Sequence, residues 1–190
     1  MPNPVIIGLT GCAGSGKDTA AEYLEHAHGF DTAAFANPLR RMVQSLIFPT
    51  PIQWQNRAWK EASLPHLGFS PRQLLQTLGT EWGRALDPGF WLKHADMEMA
   101  RMLITPDGIV PCIVWTDVRF ENEAAWIRAQ GGQVWHLERS SAAPVAAHVS
   151  EFGITPLANE PRIDNSGTVD ELYERLDGQM EKIYADWDAL

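Results

Sequence analysis

The segment Gly11-Cys12-Ala13-Gly14-Ser15-Gly16-Lys17-Asp18 constrains this chain more than any other. It has the spacing G-x-x-x-x-G-K, with the short apolar run Val5–Leu9 before it and a helical pattern from about Gly16 to His28 after it. A strand, a glycine-rich turn and a helix in that order predict a loop that cradles phosphate groups. Glycines let backbone N–H groups converge on phosphate oxygens with no Cβ in the way, and the helix N-terminus adds partial positive charge. The candidate contacts are Gly11, Ala13, Gly14, Ser15, Gly16, Lys17, Asp18 and Thr19. Lys17 is expected to reach the β- and γ-phosphates as a mobile point charge, largely solvated when no ligand is bound. Asp18 stands where a Ser or Thr usually offers a hydroxyl to Mg²⁺, and Thr19 comes next. Either Asp18 contacts the metal through water or Thr19 takes that role; a carboxylate beside phosphates needs a cation between them.

A strand-loop-helix start commits the rest of the chain to an α/β fold if strands and helices keep alternating, and they do. Asp31–Phe35 and Gln133–Leu137 read as strands, Ile109–Val118 as a buried strand whose pairing starts after Pro111, and Arg162–Asp164 as a short last strand. Helices are expected over Pro38–Phe48, Ser70 to about Leu86, Phe90–Leu103 and Arg119–Gln130. Ser70-Pro71-Arg72-Gln73 is a strong start signal, with Ser as cap, Pro at the first helical position and Gln completing a capping box. Residues 49–69 read as a loop-rich excursion. The last helix opens on Thr168-x-x-Glu171, and Val169, Leu172, Leu176, Met180, Ile183 and Trp187 make its apolar stripe.

With 190 residues the chain suits one domain, and 45% hydrophobic with 21% charged residues is an ordinary globular composition. A net charge of −9 argues against a partner that is a nucleic-acid polymer. The two cysteines, Cys12 and Cys112, are too few for a disulfide scaffold and point to a reducing compartment. The longest apolar runs fall far short of a membrane span, and the N-terminus lacks the basic region of a signal peptide. This length, with no second domain, fits a small nucleotide kinase.

Two further places carry candidate chemistry. On the helix from Ser70, Arg72, Gln76, Gly79 and Gly83 fall at i, i+4, i+7 and i+11 and so share a face in α-helical geometry. Glycines inside a helix cost about 1 kcal/mol each relative to alanine, so something must come close there. A substrate held by Arg72 and Gln76 and the close packing of another helix are the two alternatives. Asp117 and Arg119 follow the buried strand, at the edge where open parallel sheets bind ligands. Asp117 could equally cap the helix beginning at Arg119.

Together these residues resemble the bacteriophage deoxynucleoside monophosphate kinases, relatives of dephospho-CoA kinase and phosphomevalonate kinase. The resemblance rests on GLTGCAGSGKDTAAEYL (8–24), FANPLRRM (35–42), SPRQLLQTLGTEWGR (70–84), FW (90–91), DVRFENEA (117–124), HVSE (148–151) and DNSGTVDELYERL (164–176). It spans nearly the whole chain in order, and the Asp-Thr after the P-loop lysine belongs to its pattern. It implies a three-layer P-loop NTPase fold with a parallel sheet: a single domain over 1–190, a monophosphate-binding region over about 37–91 and a lid over about 139–162. It implies ATP with Mg²⁺ as donor and a deoxynucleoside 5′-monophosphate as acceptor, serving dNTP supply, in the cytoplasm of the host if phage-encoded. It also points to a homodimer. For the acceptor it implies Arg40 or Arg41, Arg72, Gln76, Arg84 and Asp117; Trp91 either stacks on the base or, the commoner role of a single Trp, packs in the interior. Lys17, Arg72, Asp117 and Arg119 become the catalytic candidates, joined by Arg139, and less directly Arg162, from the lid. His148 and Glu151 lie one turn apart in that lid, more as a solvated face than as catalysts. The alternatives are the same fold acting on dephospho-CoA or phosphomevalonate, and a nucleotide-dependent switch.

Overall fold

The computed structural model describes residues 4–104, 111–140 and 154–188. The chain forms two compact units, one of Met1–Ala34 with Met99–Leu190 and one of Phe35–Glu98.

In the first unit five parallel strands, β1 (Val5–Thr10), β2 (Asp31–Ala33), β3 (Cys112–Trp115), β4 (Gln133–Glu138) and β5 (Arg162–Asp164), form one sheet in the order β2-β3-β1-β4-β5. Alternation along the strands makes the layers. Val5, Ile7 and Leu9 of β1, Val114 of β3, and Trp135 and Leu137 of β4 share one core. Into that core pack Ala20, Ala21 and Leu24 of α1 (Lys17–His28), with Leu172, Leu176, Met180 and Ile183 of α8 (Val169–Asp188). The opposite face meets α7 (Glu121–Ala129). A Cβ on Gly8 of β1 would lie 3.1 Å from Ile127, and Trp115 meets Trp126 edge-on at 5.0 Å. Helices on both faces of a parallel sheet are the three-layer architecture expected from the alternating pattern.

The C-terminal stripe is buried as expected at Leu172, Leu176, Met180 and Ile183, but Val169 is exposed. The Thr168–Glu171 capping box forms, with Thr168 N–H on the Glu171 carboxylate and Glu171 N–H on the Thr168 hydroxyl. Two strands are shorter than expected, the edge strand β2 ending at Ala33 and the interior strand β3 at Trp115.

Residues 154–162 are fastened to α7 and β4 by the Thr155 N–H on the Glu121 carboxylate at 2.8 Å, the His136 N–H on the Pro161 carbonyl at 2.9 Å and the buried carboxylate of Glu160. Glu160 takes a two-pronged ion pair from Arg128 at 2.7 and 3.0 Å, the Leu157 N–H at 2.8 Å and His136 Nε2 at 2.9 Å. Burial pushes the Glu160 carboxyl up, but these partners outweigh it and hold the group at about 2, against an ordinary 4.5. A depressed carboxylate stabilises the fold above its unfolded value and loses that contribution as pH falls through its folded value. Glu160→Gln should therefore cost about 3 kcal/mol at neutral pH. Its melting temperature should converge with that of the parent between about pH 4.5 and pH 2. A gap that stays constant over that window would rule the carboxylate out as the cause.

The second unit carries α2 (Asn37–Ile47), α3 (Pro51–Gln55), α4 (Arg57–Glu61), α5 (Pro71–Gln76), a π-helical segment (Thr77–Arg84) and most of α6 (Phe90–Met102). The stretch 49–69 is less irregular than expected. α3 is started by a capping box between Thr50 and Gln53, and the Asn56 side chain caps α4. The helix from Ser70 has the expected cap, with Gln73 N–H on the Ser70 hydroxyl and Ser70 N–H on the Gln73 side chain. It does not run on as an α-helix, because it widens into π geometry from Thr77.

Candidate active site

The loop after β1 leaves the sheet at its C-terminal edge and turns directly into α1. Three of its glycines, Gly11, Gly14 and Gly16, have positive φ, of 143°, 81° and 97°. Two could carry no side chain at all. A Cβ on Gly11 would sit 2.3 Å from the Leu137 carbonyl oxygen, and one on Gly16 would sit 2.1 Å from the Asn165 amide nitrogen. Over Gly14 a Cβ would meet nothing within 4 Å. The loop is braced by the Ser15 N–H on the Cys12 carbonyl at 3.1 Å, and Ser15 is buried. The N-cap of α1 is Gly16, which has no side chain with which to cap the first turn, and amides at such a helix start suit an anionic ligand.

Lys17 departs from its expected solvated state. It is half-buried, and its ammonium donates to the Gly11 carbonyl at 2.6 Å and the Cys12 carbonyl at 2.8 Å, with Ser15 Oγ at 3.5 Å. The loop carbonyls take the place of water around the charge. Asp18 is exposed and Thr19 half-buried on the same first turn.

Asp117 follows β3 and is buried. Because β3 runs parallel to β1, it emerges at the same edge as the phosphate loop. The Thr116 N–H bonds the Ala33 carbonyl and the Val118 N–H the Leu9 carbonyl, which fixes the turn that carries it. The capping role weighed for Asp117 is met at the Arg119 and Phe120 amides by Glu123, whose Oε2 accepts them at 2.8 and 3.1 Å. Arg119 is half-buried. Arg139 is exposed, just beyond the end of β4 and so at the same edge. Arg162 lies in the expected last strand, β5, with its Nε donating to Glu138 at 2.6 Å. Residues 141–153 of the segment expected to be a lid, His148 and Glu151 among them, fall outside the described residues.

The acceptor candidates Arg40, Arg41, Arg72, Gln76, Arg84 and Trp91 all lie in the second unit. Arg40 is half-buried with Nη1 3.3 Å from Asn37 Oδ1, and Arg41 is exposed. Arg72 on α5 has Glu61 at 3.6 Å. Gln76 is half-buried, and Arg84 Nη1 reaches the Pro88 carbonyl at 3.4 Å.

One expectation here needs correction, and the packing alternative weighed for the glycines and for Trp91 is the one the structure shows. The face shared by Arg72, Gln76, Gly79 and Gly83 assumes α-helical rotation, which the π segment breaks after Gln76. The two glycines admit neighbouring side chains instead. A Cβ on Gly79 would lie 3.2 Å from Leu39, and one on Gly83 would fall 2.5–2.7 Å from the Trp91 indole. Trp91 is 5% exposed and donates its Nε1–H to the Gly79 carbonyl at 2.8 Å. That is a packing role and not the open ring face that base stacking needs. In the same aromatic cluster Trp82 is the exposed indole, at 43%, edge-on to Phe90.

Among the described residues no group of three or more His, Cys, Asp or Glu could hold a metal ion, and no helix is long and apolar enough to cross a membrane.

A phosphate loop on this strand order, with helices on both faces, defines a nucleotide-binding protein of the three-layer P-loop class. A solved structure titled "putative kinase", from Chloroflexus aurantiacus, has the same fold, with a TM-score of 0.52 at 11% identity over 96% of this chain and 98% of that one. Residues 62–176 match the family model described as "Deoxynucleotide monophosphate kinase". The chain is 33% identical to the "Putative deoxynucleotide monophosphate kinase" of Acanthamoeba polyphaga mimivirus, over 90% of this chain and 94% of that protein. It is 29% identical to the "Deoxynucleotide monophosphate kinase" of Escherichia phage RB69, over 57% of this chain and 44% of that protein. This chain belongs to the deoxynucleotide monophosphate kinase family. It is therefore a phosphotransferase of the nucleoside monophosphate kinase class that uses a nucleotide.

Proposed function

We propose that the chain transfers the γ-phosphoryl group of ATP to a deoxynucleoside 5′-monophosphate, yielding the diphosphate. The observation that carries this reading is the phosphate loop itself, in a chain of this family. Its helix opens on Gly16, an N-cap with no side chain, and the Lys17 ammonium is already held on the loop carbonyls. In this reading the Gly14–Thr19 backbone cradles the donor phosphates and Lys17 exchanges its two loop carbonyls for phosphate oxygens. The donor set fits Mg²⁺. With no protein cage among the described residues, the ion would draw its ligands from phosphate oxygens, water and either Asp18 or Thr19. When bound, it neutralises charge on the transferring group. Arg72, assisted by Gln76 and Arg84, holds the acceptor phosphate, a task the planar guanidinium fork suits better than lysine. Asp117, Arg119 and Arg139 act at the sheet edge.

The family's small-molecule nucleotide acceptor supports action on free nucleotides, in a cytoplasm where such nucleotides are held. The family resemblance supports a homodimer, which light scattering checks. A coupled ADP-release assay over all common dNMPs and NMPs, with dephospho-CoA and phosphomevalonate as further acceptors, tests the assignment. Mg²⁺-dependent turnover of one or more dNMPs above the others is the expected result. Turnover only with dephospho-CoA or phosphomevalonate, or ATP hydrolysis that no acceptor stimulates, would refute it.

A further inference from the structure

We infer that Asn165 is a positioning residue for the donor nucleotide, acting on the phosphates through the Ser15–Gly16 peptide; this rests on the ATP site proposed above. Asn165 is 7% exposed, and its Nδ2 donates to the Ser15 carbonyl at 2.9 Å. Its backbone N–H donates to the Glu138 carbonyl at 2.6 Å, so the side chain is mounted on the end of the central sheet. The amide packs directly on the loop, where a Cβ at Gly16 would lie 2.1 Å from Nδ2.

The consequence follows from the geometry of a peptide unit. The unit is planar and trans, so its C=O and N–H point in opposite directions. With the Ser15 carbonyl fixed against Asn165, the Gly16 N–H is held on the face of the loop turned away from Asn165. That amide is one of the donors a phosphate loop presents at the start of its helix. Glycine at position 16 tolerates both signs of φ, so the loop sequence alone does not prevent this peptide from turning over. The bond from Asn165 selects one orientation. Only a donor can serve at the Ser15 carbonyl. An aspartate of the same shape would set oxygen against oxygen.

Asn165→Ala and the isosteric Asn165→Asp test this in the full chain. Calorimetric titration with ADP and steady-state kinetics in both substrates should show ADP affinity falling and KM for ATP rising about tenfold in Asn165→Ala, the effect of losing one charge-assisted hydrogen bond. The loss should be larger in Asn165→Asp, while KM for the dNMP stays within about twofold. Melting temperatures identify samples that are folded at the assay temperature. A second measurement needs no variant: the Gly16 amide resonance of the parent protein should move on adding ADP. Unchanged ADP affinity in a folded variant, equal rises in KM for both substrates, or a Gly16 amide that ADP leaves in place would each overturn the role of Asn165. A parent protein that binds ADP and phosphorylates dNMP while its variants do the same defeats only this inference. A parent protein that binds no nucleotide defeats the proposed function itself.

Discussion

Lys17→Ala is expected to leave a folded protein that transfers phosphoryl groups at least about 10²-fold more slowly than the parent. Removing one preorganised charge from a developing transition state usually costs that much, equivalent to about 3 kcal/mol of barrier. The structure refines where the cost arises. The Lys17 ammonium lies between the Gly11 and Cys12 carbonyls at 2.6 and 2.8 Å, so the cation is already inside the loop before a nucleotide arrives. Its loss also frees two carbonyls at the open mouth of the loop, where water can reach them. The fall in melting temperature should therefore be small beside the fall in kcat. Thermal denaturation and turnover measured on one preparation separate the two. Near-parental turnover in a folded Lys17→Ala sample would remove the phosphate loop from the mechanism.

Arg72→Ala is expected to raise KM for the dNMP about tenfold and to lower kcat by a similar factor, with KM for ATP little changed. Arg72 stands on the first turn of α5, whose start is fixed by the Ser70–Gln73 capping box, and its guanidinium has Glu61 at 3.6 Å. An acceptor phosphate that is bound loosely is also bound out of line with the donor, which is why kcat falls together with affinity. Arg72→Lys should recover little, since a point charge cannot replace the two-pronged contact. A variant whose KM rises equally for both substrates, or for ATP alone, would place Arg72 outside the acceptor site.

Several elements were legible because a local signal was complete in itself. The phosphate loop, the capped starts at Ser70 and Thr168 and the stripe on α8 each need only a few neighbouring residues to be recognised. Thr50-Pro51-Ile52-Gln53 repeats the chemistry of Ser70-Pro71-Arg72-Gln73 and starts α3, yet the prolines and aromatics around it suggested only a loop. The signal was present there and was outweighed by composition.

Other features depend on partners far along the chain. Glu160 is depressed because Arg128 and His136 arrive from α7 and β4. Asn165 reaches the phosphate loop from 150 residues away, and no spacing rule connects the two. Helical periodicity placed Gly79 and Gly83 on one face with Arg72 and left open whether a substrate or another helix approaches them. Trp91 and Leu39 decide that question by packing there, and the π turn moves the face itself. Sequence by itself determined the class of fold and the donor loop, because both are written in short runs whose backbone geometry allows few alternatives. Only the tertiary structure decided which side chains brace that loop and which aromatic stays exposed, because close packing couples residues that the chain keeps apart.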